Sequence, residues 1–170
     1  PRARLHEFAR RCPVPVYSHV GQGMHPVRVI ADLMTMRELS SRPLTTIGLA
    51  LIGDPRGTRH GPLVQVALQM GLDLRIAAPR EHWPNEPKCE RLRRLAAAHG
   101  GRLSFHDVPA TALDGSDFCY RTAGNGTARL AGSDPELQDA RGAGDAQEVR
   151  AEQEANRVHA AKALLVATLA

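Results

Sequence analysis

Apolar residues follow two rhythms along this chain, and the switches between them mark out its elements. Residues 3–11 (ARLHEFARR) place Leu5 and Phe8 one turn apart, which predicts a short amphipathic helix. Pro13-Val14-Pro15-Val16-Tyr17 reads as an extended segment, and Gly21-Gln22-Gly23 as a turn. From His25 to Leu39 a helix is expected, with Pro26 in its first turn, where a missing N–H costs nothing. Val27, Val29, Ile30, Ala31, Leu33, Met34 and Met36 run nearly all round it, so it should be mostly buried.

A strand–helix alternation follows. Thr46–Ile52 is a continuous apolar run, as in a strand covered on both faces of a parallel sheet. It ends in Gly53-Asp54-Pro55-Arg56-Gly57, and a helix from 62 to 70 stops at Gly71. Further strands are expected at 72–78, 103–106 and 117–120, with a helix at 87–99 and a helical turn near 110–115. This order predicts an α/β fold, a three-layer Rossmann-like sandwich with a mainly parallel sheet and right-handed crossovers. At 121 the pattern stops. Residues 121–147 are rich in Gly and poor in apolar content, and read as loop. A long helix resumes near Glu148, with Val158, Ala161, Leu165 and Leu169 as a stripe that needs a surface to dock on. The organisation expected is therefore 1–24 as helix and extended segment, 25–124 as the α/β domain, 125–147 as a Gly-rich linker and 148–170 as a closing helix.

Composition narrows the chemistry. With 170 residues, 42% hydrophobic and 24% charged, the chain suits one domain with a real core. It holds no apolar run long enough for a membrane span, and PRARLHEFARR has no apolar stretch behind its arginines, unlike a signal peptide. Opening on proline suggests an excised piece. Cys12, Cys89 and Cys119 are odd in number and far apart, which favours a reducing cytoplasm and argues against a metal site. The net charge is +4, almost all of it from arginine, since Lys88 and Lys162 are the only lysines. Residues 1–60 carry nine Arg against four acids, enough for a phosphate-like anion or an RNA face. Scattered arginines, 4% aromatics and no nucleic-acid motif argue against the RNA reading.

Three motifs carry more specific information. The segment His25-Pro26-Val27-Arg28 … Ala31-Asp32-Leu33-Met34-Thr35 resembles the HPxQ…LADLxT helix of the ornithine and aspartate carbamoyltransferases. Leu51-Ile52-Gly53-Asp54, with His60 further on, resembles that family's GD…HS loop, and Asn156-Arg157-Val158-His159-Ala160-Ala161-Lys162-Ala163 its ENRxHxxKA closing helix. The resemblance implies the second, amino-acid-binding domain of such an enzyme, ornithine type favoured. It further implies arginine biosynthesis, carbamoyl phosphate and an amino acid as partners, no cofactor and a trimeric assembly.

By resemblance, His25 would donate to the carbamoyl oxygen, where negative charge develops as the amine attacks. Read alone, a histidine at a helix start is a cap or a surface residue. Arg28 stands where the family has Gln. It could meet a phosphate bidentately or be a solvated helix arginine, and the second is slightly favoured. Gly53, Asp54 and Arg56 complete the candidate substrate-binding set. A dinucleotide-binding turn is the alternative for Gly53-Asp54, but no GxGxxG is present. His60 reads as loop packing, and Trp83 as a lid over the sheet edge.

The departures matter equally. No SxRT phosphate-binding loop occurs in these residues. Arg56 and Gly57 stand where the ornithine enzymes have paired asparagines. Tyr120 is followed by Arg121-Thr122-Ala123-Gly124 rather than the family's DxxxSMG, and HCLP is missing. The chain is thus expected to lack catalysis by itself. A remnant that docks on a carbamoyltransferase subunit is the alternative, and a dinucleotide-binding oxidoreductase fragment a weaker one.

Overall fold

The computed structural model of the chain describes residues 2–14, 16, 26–55, 61–121, 136–140 and 146–169. Helix α1 (Arg2–Arg11) leaves Phe8 61% exposed, so the amphipathic face expected there is not buried at that residue. Helix α2 (Pro26–Ser40) leads into β1 (Gly48–Ile52), and α3 (Gly61–Gln69) into β2 (Asp73–Ala77). Helix α4 (Glu86–Ala98) starts at Asn85, whose side chain accepts the Lys88 N–H at 3.2 Å, with Pro87 in the first turn. Strand β3 (Arg102–His106), α5 (Pro109–Leu113) and β4 (Phe118–Arg121) complete the alternation. These elements match the expected ones within two residues at each end.

The five-stranded sheet has the order β3-β2-β1-β4-β5, with β1 to β4 parallel. Two connections run outward from β1 to β3, and the chain then crosses to the other side of β1. The expected α/β sandwich is therefore observed, but its two faces are unlike. Leu49, Leu51, Leu74, Ile76, Phe118 and Tyr120 form one face and pack under α2, α3, α4 and α6 (Ala146–Leu169) in one core. Alternate strand positions put Ala50, Ala77 and Cys119 on the other face, covered at Ala112 by the five-residue α5. The apolar run of β1 thus presents Leu49 and Leu51 to one layer and Gly48, Ala50 and the half-buried Ile52 to the other.

Two expectations require correction. Residues 121–147, read as loop, contain β5 (Glu136–Asp139), which pairs antiparallel with β4, Leu137 opposite Tyr120. A short return can place an antiparallel neighbour, and Leu137 buries its side chain in the core, so one apolar residue suffices to register the strand. Along α6, the buried face is Val149, Gln153, Asn156 and Ala160 rather than the expected stripe; Val158 is 54% and Leu165 48% exposed. The polar residues won because α2 offers polar partners, described below, that an apolar stripe could not satisfy.

Candidate functional site at the carboxyl end of the sheet

In an open parallel sheet, ligands bind outside the carboxyl ends of the strands where the strand order reverses. Here that point lies between β1 and β4, immediately before Gly53. Gly53 has φ +131°, a conformation side-chain-bearing residues rarely adopt, and its N–H donates to the Ala77 carbonyl at 2.9 Å. The turn thereby swings away from β1 and sets Asp54 at the mouth of the crevice. His82, in the turn after β2, brings its Nδ1 to 3.8 Å from the Asp54 carboxylate. A carboxylate beside an imidazole can hold a cation or accept a proton.

The turn carrying His82 is pinned from the sheet edge. The Trp83 indole donates to the Ala78 carbonyl at 2.7 Å, and its ring lies 5.4 Å from that of Phe105 on edge strand β3. Trp83 covers the sheet edge, as the sequence led us to expect. Arg80 sits over the indole at 5.6 Å. Among the described residues, no group of three His, Cys, Asp or Glu could hold a metal ion.

Of the five candidate site residues, Gly53 and Asp54 are brought to this crevice. His25 and Arg56, with His60, lie outside the described residues. Arg28, on the first turn of α2, is half-buried rather than solvated, and its charge acts on Asp32 and Tyr120.

The other residues of the recognised motifs have a structural task. Asp32 is fully buried and accepts hydrogen bonds from the Tyr120 hydroxyl and the Gln153 amide. Burial, the dominant influence, raises its carboxyl above the ordinary range against the opposing pull of those donors and of Arg28 and Arg157. Burial and the neighbouring Asp32 push the Tyr120 phenol well above its usual value. One turn on, the Asn156 amide donates to the Thr35 hydroxyl at 3.1 Å and to Glu38 at 2.6 Å, while Thr35 donates to the Ala31 carbonyl at 3.0 Å. Asp32 and Thr35 of the ADLxT text and Asn156 of the NR text thus face each other across the α2–α6 contact. They fix the closing helix and the end of β4 to α2. Sequence reasoning treated them as signature letters only. The signal was present, because a lone acid among Val27–Met36 must find donors if it is buried.

No protein-family model matches the chain. It is 40% identical over 119 residues to a catabolic ornithine carbamoyltransferase of Rhizobium meliloti, covering 70% of this chain and 36% of that protein. It is 35% identical over 116 residues to an ornithine carbamoyltransferase of Neisseria subflava, covering 68% of this chain and 50% of that protein. The solved ornithine carbamoyltransferase from Pyrococcus furiosus superposes on 72% of this chain with a TM-score of 0.60 at 23% identity, matching 39% of its own length. The one from Gloeobacter violaceus gives 0.58 at 26% identity over 71% of this chain and 42% of its own. The chain thus spans a third to a half of the length of the curated relatives it matches.

Proposed function

Because the chain belongs to the ornithine/aspartate carbamoyltransferase family, we propose that it is an amino-acid-binding domain that serves carbamoyl transfer to ornithine only alongside a phosphate-binding half. The observation that carries this is the partial match: the chain aligns with 36% of the Rhizobium meliloti enzyme, and its 170 residues include no SxRT phosphate loop. Carbamoyl phosphate carries its leaving group as a phosphate, and departure of that group needs cationic donors held in place. His25 would meet the carbamoyl oxygen and Arg28 the phosphate, with Gly53, Asp54 and Arg56 shaping the amino acid's side of the crevice.

The altered acceptor loops point the same way. An ammonium must be held and deprotonated beside the carbonyl, and a lost positioning group costs about a hundredfold in rate. The DxxxSMG and HCLP texts are absent from these residues, and Asp54 with His82 is the carboxylate–imidazole pair left at the crevice. The exposed Val158, Leu165 and Val166 on α6 supply apolar surface on which a complementary half would rest.

Citrulline formation from carbamoyl phosphate and ornithine tests the reading. No turnover is expected from the chain alone, and measurable turnover, at least about a hundredfold below that of an intact relative, is expected when a family phosphate-binding half is added. Brisk citrulline formation by these 170 residues unaided would refute the division of labour.

A further inference from the structure

At the opposite end of the sheet, the amino ends of three parallel strands enclose a cavity of about 360 Å³. Gly48, Asp73 and Arg102 stand in one rung across β1, β2 and β3. Strand parity then sets Asp73, Arg75 and Arg102 on the same face, the one that α5 covers only in part. Arg42, from the turn after α2, closes the cavity from the other side. We propose that this cavity is a binding site for a small multivalent oxyanion of the phosphate or phosphate-monoester class.

The charge balance decides the sign. Three arginines face two acids, so the lining is net positive. Both acids are committed. Asp117 accepts the Gly48 N–H at 2.8 Å and pairs with Arg42. Asp73 takes two N–H groups of Arg75, at 3.1 and 2.8 Å, and a third Arg75 N–H reaches the Asp114 carbonyl. These contacts hold two guanidinium groups in place while leaving each with further N–H donors. Arg102 has no ion pair or side-chain hydrogen bond among the described residues. Three planar forks converging on one space suit a tetrahedral oxyanion better than a single carboxylate.

The surroundings leave the cavity unfilled. Gly71, Gly100, Gly101 and Gly115 contribute no side chains to it. The C-terminal ends of α3 and α4 point toward this region and their partial negative charge opposes an anion, so the arginines must outweigh it; capping bonds lessen it, Ala67 accepting from Leu72 at 3.1 Å and Ala96 from Gly101 at 2.9 Å. The volume falls at the small end of ligand sites, room for a phosphate with a modest organic group. The cavity lies a strand's length from the crevice at Gly53, so it is not the place where carbamoyl phosphate would react. Of the nine arginines in residues 1–60, Arg42 lines this cavity.

Titrating inorganic phosphate into the ¹⁵N-labelled full chain, against sodium chloride at matched ionic strength, tests the assignment. Saturable amide shifts are expected at Gly71, Gly101, Arg102 and Gly115. Arg102→Ala, at an exposed and unpaired position, should weaken the affinity about tenfold or more. Arg91→Ala on α4, outside the cavity, should leave the titration unchanged. Equal titrations for wild type and Arg102→Ala, an identical response to chloride, or shifts confined to the Gly53–Asp54 turn would each overturn the proposal.

Discussion

Asp32 shows how one residue can constrain three elements. It hangs from α2, and its two oxygens draw in Tyr120 of β4 and Gln153 of α6. Its carboxyl titrates higher in the folded chain than in the unfolded one, because burial outweighs its donors. A group shifted that way favours the fold below its unfolded value, and the contribution is lost as pH rises through the folded value. Asp32→Asn removes the titration. The stability advantage of wild type over this variant should therefore be larger at about pH 4 than at about pH 7, measured from urea midpoints at each pH. A gap that instead widens toward neutral pH would show that the carboxylate's hydrogen bonds outweigh its desolvation.

Among the elements, α6 is the most instructive. Its buried positions set two polar residues, Gln153 and Asn156, between the apolar Val149 and Ala160, whereas an apolar count along the helix selects Val158, Ala161 and Leu165. Two substitutions separate these faces. Val149→Ala leaves a hole beneath a 2% exposed side chain and should cost about 2 kcal/mol. Leu165→Gln, at a 48% exposed site, should stay within about 0.5 kcal/mol of wild type in the same urea titration. Equal losses would mean that the helix is rotated from the orientation described. Strand β5 teaches a related lesson: Glu136-Leu137-Gln138-Asp139 has a single apolar residue, too little for a periodicity signal, yet Leu137 finds a place in the core opposite Tyr120.

For the whole molecule, one core joins the sheet to α2, α3, α4 and α6. The closing helix is therefore part of the domain rather than a tethered piece, despite the Gly-rich segment before it. Unfolding should be a single cooperative transition, with the fluorescence of Trp83 and the far-ultraviolet helix signal changing together. Trp83 reports from β3's edge, far along the sheet from α6, so an earlier loss of helix signal would show α6 detaching first. The strand-order reversal at Gly53 and the arginine-lined cavity at the amino ends sit at opposite ends of this same sheet.

Most of the architecture was legible in the order of residues, because buried parallel strands and their crossover helices impose short apolar runs and regular periodicity on the chain. Gly53 and Asp54 were legible as a turn for the same reason: the backbone there needs glycine, and the acid follows it. The family text was legible too, but its meaning was not. Only folding placed Asp32 against Tyr120 and Gln153, 88 and 121 residues away, and Asn156 against Thr35. Likewise, Arg42, Arg75 and Arg102 are scattered in sequence and line one cavity because β2 and β3 start at one level and the turn after α2 passes beside them. Local pattern encodes which face of an element is apolar. Hydrogen-bond satisfaction of buried polar groups is a long-range condition, and it is met only when the elements have packed.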